Sequence, residues 1–315
     1  MRDRGNRFTA YANALDAPAE RGTRVTRPNE KPPLESRPKG LPVTDVETWI
    51  RDPYALYAKR ILKLKPVEPL EREPDALLKG ILYHAILEAY VETDGPDKPA
   101  SERLGFMMEI ASEKISDQNL PSDVDTIWKL RFEEIAKAYI EWELAYQGNH
   151  RLQKVLTEVD GRIVIGEGGF TLSARADRID VLNEREINLF DYKTGGSPSK
   201  DQARTLSPQL ALEALIAERG GFEDLPATNV IDMKYLRLRA GTKVGEEEIA
   251  DKKNPISEIV NRAADNIEEL VAAYSLEEQG YISRYAPFKD SEMSGDYDHL
   301  ARVREWSFGE EDGDE

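Results

Sequence analysis

The feature that most constrains this chain is a change of hydrophobic period. Between Val46 and about residue 146 apolar residues recur at helical spacing; beyond that they alternate with polar ones. "LTEVDGRIVIG", "FTLSARADRIDVL" and "REINLFDYKTG" alternate in this way, with Gly166, Gly168, Gly169 and Asn183 marking turns between them. Alternation with close turn residues predicts three antiparallel strands with one covered face. A helix is expected at about Ser207 to Arg219, then a strand in "NVIDMKYLRLR" and a long helix across "ISEIVNRAADNIEELVAAYSLEEQG". The order is helix, strands, helix, strand, helix. It describes an α/β sandwich decorated by helices.

The helical part has its own punctuation. Thr44 and Glu47 have capping-box spacing, Val46, Trp49 and Ile50 begin an apolar stripe, and Pro53 should break it. "PDALLKGILYHAILEAYVE" predicts a helix with Leu77, Leu78, Ile81, Leu82 and Ile86 on one face, followed by helices over 102–118 and 123–146. Residues 1–40 are rich in Pro and Arg and read as a flexible arm or linker, 41–305 as the folded domain, and 306–315 as a disordered acidic tail.

Composition narrows the chemistry. With no cysteine, disulfides, thiolate zinc sites, cysteine-ligated iron–sulfur clusters and thiol catalysis are excluded, and a reducing cytoplasm is the expected location. Three histidines leave little room for a histidine-rich centre, so a bound metal should be oxygen-ligated. No apolar run is long enough to span a membrane. The net charge of −17 argues against a nucleic-acid partner, but it is unevenly spread. Acids crowd the last stretch from Glu305, whereas Arg175 to Arg204 holds equal numbers of acids and bases.

Within that neutral segment the hairpin "ADRIDVLNEREINLFDYKTG" places an aspartate in each arm, Asp177 and Asp191, with Lys193 two residues after the second. Alternation puts Asp191 and Lys193 on one face and Tyr192 on the other. With the turn centred on Glu184, Asp177 falls opposite Asp191, their Cβ atoms roughly 5 Å apart. Two like charges so placed destabilise a bare hairpin, and a divalent cation between them reverses the sign. Mg²⁺ favours such oxygen ligands, and a lysine beside it can orient or deprotonate water or neutralise a phosphate. Asp and Lys in a strand are also commonly just a solvated face. The residues alone therefore license an oxygen-ligated metal hydrolase, with phosphodiesters a plausible substrate.

Four ordered elements carry a resemblance: Gly80-Ile-Leu-Tyr-His84, Ala176-Asp177-Arg178-Ile179-Asp180, Asp191-Tyr192-Lys193-Thr194-Gly195 and Gln209-Leu210. Together they resemble the PD-(D/E)XK nuclease superfamily, in its RecB-like branch. "WIRDPYALYAKRILKLKPVEPLE" is similar, more narrowly, to the C-terminal nuclease domain of AddB proteins. The resemblance covers about residues 40 to 305. It implies an α/β restriction-endonuclease-like core, a mixed sheet flanked by helices, with extra N- and C-terminal helices, and a Mg²⁺-dependent DNA nuclease in which Mn²⁺ substitutes. The implied setting is double-strand break repair, on single strands delivered by an AddA-type helicase–nuclease subunit.

It also implies roles. Asp177, Asp191, the Tyr192 carbonyl and His84 would hold metal, and Lys193 would be the catalytic lysine. Gln209 would contact DNA or the edge of the site, unless it simply caps its helix. Thr194 and Arg178 would contact DNA or support the site, although Arg178 and Asp180 suit a structural salt bridge equally well. Glu88, one turn beyond His84 on the same helix face, is a further supporting candidate. Two departures stand out. Where the family often has tyrosine four residues after the glutamine, this chain has Glu213, and the cysteines many AddB proteins use for an iron–sulfur cluster are missing. Tyr285, Phe288, Tyr297 and Trp306 are expected to fold back in place of that cluster. No phosphate-loop motif is present for ATP hydrolysis. The competing readings are a non-catalytic module that guides DNA on a retained nuclease fold, and a stand-alone RecB-like exonuclease.

Overall fold

The computed structural model describes residues 8–14, 25–65, 74–286 and 295–307. A six-stranded sheet is built from β2 (Gly40–Pro42), β3 (Lys154–Ile165), β4 (Phe170–Asn183), β5 (Glu186–Lys193), β6 (Asn229–Arg237) and β7 (Gly245–Glu248). Its order is β2-β4-β5-β6-β7, with β3 paired to β4. The β3–β4 and β4–β5 pairs are antiparallel, as the alternation predicts, whereas β5 and β6 run parallel. Parallel neighbours need a crossover. It is made by α6 (Lys200–Thr205), a short helix beyond those expected, and α7 (Gln209–Glu218), which is the helix expected at about Ser207 to Arg219.

Layers of helix cover both faces. On one, α1 (Val43–Arg51), α7 and α8 (Ile256–Tyr274) pack on Leu172, Ile179, Leu189 and Met233. On the other, α3 (Ala76–Glu92), α4 (Ala100–Ser116) and α5 (Ser122–Asn149) pack on Phe190, Tyr192 and Leu236. β5 is buried on both faces, which is why its sequence carries apolar residues at consecutive positions. Pro53 ends the first helix as expected, and the chain resumes in α2 (Pro53–Leu56) under an Asp52 cap.

Several expectations need correction. The capping box of Thr44 and Glu47 does not form, because α1 starts at Val43 and Thr44 lies inside it. On α3, Leu77 and Ile81 are 63% and 57% exposed, while Leu82, Tyr83, Ile86, Leu87 and Tyr90 form the buried face. Two adjacent stripes of this helix are apolar, and only packing selects between them.

Residues 25–40, read as part of the arm, lie against the domain. β1 (Asn29–Glu30) pairs with β8 (Tyr281–Ile282), and the Arg37 guanidinium donates to the carbonyls of Tyr274, Leu276 and Glu277. At the other end α9 (Val303–Ser307) buries Trp306 with Tyr54, Ala301 and Val303. Tyr297 donates its hydroxyl to the Leu64 carbonyl, while Tyr285 is 69% exposed and takes no share in that packing. Phe288 and the acidic stretch after Ser307 lie outside the described residues.

Candidate active site

The hairpin adopts the expected register. Arg178, Ile179, Asp180 and Val181 pair with Phe190, Leu189, Asn188 and Ile187. The ladder then stops one pair short of Asp177 and Asp191, because the backbone N–H of Tyr192 donates to Asp177 Oδ2 at 2.8 Å instead of to a strand carbonyl. A carboxylate thus takes the place of a ladder acceptor and opens the end of the sheet.

On the other side of β4 the same residue marks a second irregularity. Thr157 pairs with Arg178 and Val159 with Ala176, but the intervening Glu158–Asp177 pair lapses, and Glu158 adopts a left-handed φ of 50°. That conformation costs a non-glycine residue about 1 kcal/mol or more. It rotates both strands about this point. Phe170, Leu172, Ala174 and Ala176 reach the core from even positions, and Ile179 does so from an odd one. In β3 the switch runs from Leu156 to Val159. The rotation turns the Glu158 carboxylate toward the sheet end.

A third ligand candidate comes from α3. Gly80 brings this helix onto the end of β5: a Cβ there would stand 3.2 Å from Thr194 Oγ1. One turn on, His84 Nδ1 lies 3.4 Å from Asp177 Oδ2, and the His84 ring meets Tyr192 edge-on. The glycine and histidine of the motif therefore have distinct tasks, one permitting the approach and the other using it. His84, Glu158 and Asp177 offer ligand atoms all within 4.8 Å of one another. An octahedral Mg²⁺ holds opposite ligands about 4.2 Å apart, so this set needs only small side-chain adjustments to fit.

Glu158 was missed by motif reading, and Asp191 does not face Asp177 as a simple pair. Asp191 Oδ2 lies 2.7 Å from Lys193 Nζ, yet it has no aligned hydrogen bond, and Oδ1 accepts from Gln209 Nε2 at 2.7 Å. Gln209 Nε2 also donates to Glu213 Oε1 at 3.1 Å, and Glu213 is only 1% exposed. Glu213, standing where the resemblance leads one to expect a tyrosine, is thus a buried acid linked to a candidate ligand through one side chain.

The titration of these groups reflects crowding of negative charge. Burial, then the Asp177 charge, pushes the Asp191 carboxyl up to about 6 against the pull of Lys193. Burial followed by Asp191 and Asp177 holds Glu213 well above the usual carboxylate range. Burial and Asp177 raise Glu158, with Arg175 opposing. Burial works against the charged forms of His84 and Lys193, but the surrounding carboxylates outweigh it and both are raised. Lys193 is therefore an ammonium at neutral pH. Four carboxylates, Asp177, Asp191, Glu158 and Glu213, face Lys193 and His84 here, an excess of negative charge that a divalent ion relieves.

The remaining residues fall into different places. Glu88 accepts from Arg175, which also grips Glu158, so Glu88 bears on the ligand set through one intermediary. Arg178 is fully buried and forms ion pairs with Asp180 and Glu143, leaving no surface for DNA. Its hydroxyl partner Tyr139 bonds Tyr192 Oη at 3.0 Å, so this network braces β5 from behind. Thr194 lies at the strand end beside Gly80 and makes no hydrogen bond to a described residue.

The model of the PD-(D/E)XK nuclease superfamily matches residues 41–285. The chain is 31% identical over 188 residues to an uncharacterized protein of Rickettsia bellii, covering 59% of this chain and 22% of that one. It is 31% identical over 211 residues to one of Rickettsia felis, covering 65% and 24%, and 29% identical over 242 residues to one of Rickettsia typhi, covering 74% and 27%. The chain spans about a quarter of the length of these curated relatives. A solved structure described as "Crystal structure of SSO0001" aligns at 14% identity with a TM-score of 0.30, covering 81% of this chain and 80% of that one.

Proposed function

Because the chain belongs to the PD-(D/E)XK nuclease superfamily, we propose that it hydrolyses DNA phosphodiester bonds with a divalent metal, as a nuclease of AddB type acting on single strands. The observation that carries this reading is the convergence of His84, Glu158 and Asp177 at an opened sheet end, with Asp191 and Lys193 alongside. His84, Glu158 and Asp177 would hold Mg²⁺ or Mn²⁺, with Asp191 and the Tyr192 carbonyl completing the set. The metal would polarise the scissile phosphate and lower the pKa of a water.

The chain's own side chains do the rest. Lys193, held as an ammonium, neutralises charge on a non-bridging phosphate oxygen and hydrogen-bonds it. Gln209 fixes the rotamer of Asp191 through its amide, and Glu213 holds that amide from the far side. Arg175 keeps the strained Glu158 facing the site. Tyr192, locked by Tyr139 and by its own N–H on Asp177, sets the position of its carbonyl.

Delivery of the strand by an AddA-type helicase subunit, in double-strand break processing, is the setting we assign to this activity. No helix among the described residues is long and apolar enough to cross a membrane. Labelled single-stranded DNA incubated with the pure chain tests the reading. Cleavage is expected with Mg²⁺ or Mn²⁺ and none in EDTA. Tight DNA binding without cleavage under any divalent metal would replace the nuclease by a DNA-guiding module.

A further inference from the structure

Behind the end of β5, on the face away from Lys193, lies a cavity of about 340 Å³ lined by Lys79, Tyr83, Arg131, Thr194 and Leu238. Its place follows from the fold. Thr194 is the residue after Lys193, and Leu238 extends β6 by donating its N–H to the Lys193 carbonyl at 2.8 Å. Lys79 and Tyr83 come from α3, on either side of the Gly80 contact with Thr194, and Arg131 comes from α5. The cavity thus opens at the carboxyl ends of two parallel strands, where α/β sheets bind ligands. His84 is one helical turn, about 6 Å, from Gly80 along α3.

The lining is unusual for this molecule. The chain carries 60 acidic residues against 43 basic ones, yet no carboxylate lines this cavity. Lys193, Arg175, Arg178, Lys234 and Arg237 are each paired with acids. Lys79 and Arg131 form no salt bridge with any described residue. Thr194 Oγ1 has no described hydrogen-bond partner. Tyr83 is 2% exposed and its hydroxyl is a buried polar atom without a partner. Burial holds that hydroxyl up to about 12, with the nearby Arg131 charge pulling it down. A buried donor left unpaired costs about 1–3 kcal/mol. Two unpaired cations and two unpaired hydroxyls around one apolar floor lack only an anionic acceptor.

We infer that this cavity seats a backbone phosphate of the DNA strand next to the one being cut. The inference rests on the nuclease reading for the identity of the strand. Lys79 and Arg131 neutralise the phosphate, and the hydroxyls of Thr194 and Tyr83 donate to its oxygens. The strand then passes around the end of β5, with the scissile phosphate on the Lys193 side and its neighbour on the Thr194 side. Lys79, Arg131, Tyr83 and Thr194 are positioning residues for substrate.

The test is equilibrium binding of a fluorescent single-stranded oligonucleotide to the full chain in EDTA, from low to physiological salt, where no cleavage intervenes. The variants are Lys79→Gln with Arg131→Gln, and Tyr83→Phe, with Lys253→Gln as a distant control. Thermal melts establish that each is folded. The double variant should bind about tenfold more weakly at low salt and lose about 0.7 from the slope of log K against log salt, the share of one phosphate on a single strand. Tyr83→Phe should weaken binding about threefold with the slope unchanged, since it removes a donor and no charge. The control should match the wild type.

A double variant with wild-type affinity and slope overturns the inference, as does a wild type that binds no single strand. These outcomes are read without catalysis, so they are independent of whether Mg²⁺ restores cleavage. A wild type that cleaves while the double variant binds normally removes the subsite and leaves the nuclease standing.

Discussion

Two clusters of buried charge flank the same hairpin and could hardly be more different. Behind it, Arg178 and Arg103 meet Asp180 and Glu143, with the hydroxyls of Tyr139 and Tyr90 filling the remaining positions. Charges there balance and the contacts interlock. At the open end Asp177, Asp191, Glu158 and Glu213 crowd around Lys193 and His84, a ladder pair is lost, and Asp191 Oδ2 lacks an aligned donor. Both clusters draw on aspartate and glutamate carboxylates, and their residues Arg178 and Asp177 stand one position apart in β4. The first closes on itself and stabilises; the second stays short of positive charge, which is what the proposed metal would supply. Imbalance, rather than burial, separates a site from a brace.

The largest test of that contrast is Asp191→Ala. Turnover on single-stranded DNA should fall by about a thousandfold or more, roughly 4 kcal/mol of transition-state stabilisation. In EDTA the same variant should melt no lower than wild type, because a repelled carboxylate is gone. An undiminished rate would remove Asp191 from the site. Arg178→Met asks the reverse of the balanced cluster. Leaving Asp180 and Glu143 buried and uncompensated should cost about 3–5 kcal/mol, seen as a large drop in denaturant midpoint. Wild-type stability here would mean that the brace is dispensable.

Metal comes next in size. At a hundred times its Kd, Mg²⁺ or Mn²⁺ should stabilise the wild type by about 2.7 kcal/mol and raise Tm accordingly, while Asp177→Ala should lose most of that shift. The same imbalance sets the pH dependence. In EDTA the folded Asp191 keeps its proton to about 6, whereas an unfolded chain releases it near an ordinary value of about 3.9. A raised folded pKa favours the folded state at low pH, so metal-free stability should fall as pH rises through this window. Glu158 and His84 are also raised and add with the same sign. Saturating Mg²⁺ should flatten the curve, and an unchanged curve would deny the link between charge and metal.

The smallest effect is expected at Glu213→Gln. It keeps the shape and an acceptor for the Gln209 amide, so turnover should fall by less than about tenfold, while metal-free stability rises by about 1 kcal/mol as desolvation of an acid is relieved. If turnover instead falls as far as in Asp191→Ala, the acid at this position has a direct part in the chemistry.

Much of the site was legible because its motifs encode local geometry. Strand alternation separates Asp191 and Lys193 from Tyr192, and the turn at Glu184 sets the register that the structure adopts. Glu158 was not found by motif, although a signal exists. The apolar positions change parity at Asp177 in β4 and near Glu158 in β3, and a shared change of face marks a rotated point in the sheet. The buried face of α3 was beyond reach, since Leu77 and Ile81 are as apolar as Leu82 and Ile86. So was the docking of residues 25–40, whose Pro and Arg content hides a backbone pairing and one buried guanidinium.

By itself the sequence determined the periods, hence which segments are helix and strand, and the hairpin register that brings two aspartates to one end. These depend on steric repeats of 3.6 and 2 residues and on turn chemistry, all of which are local. Only the tertiary structure decided which carboxylates crowd together and which are neutralised. A charge's partner is chosen by packing between elements far apart in the chain, as when α3 brings His84 to Asp177 and α5 brings Glu143 to Arg178. Coulomb energy depends on distance and on burial, and neither is written in the spacing of residues.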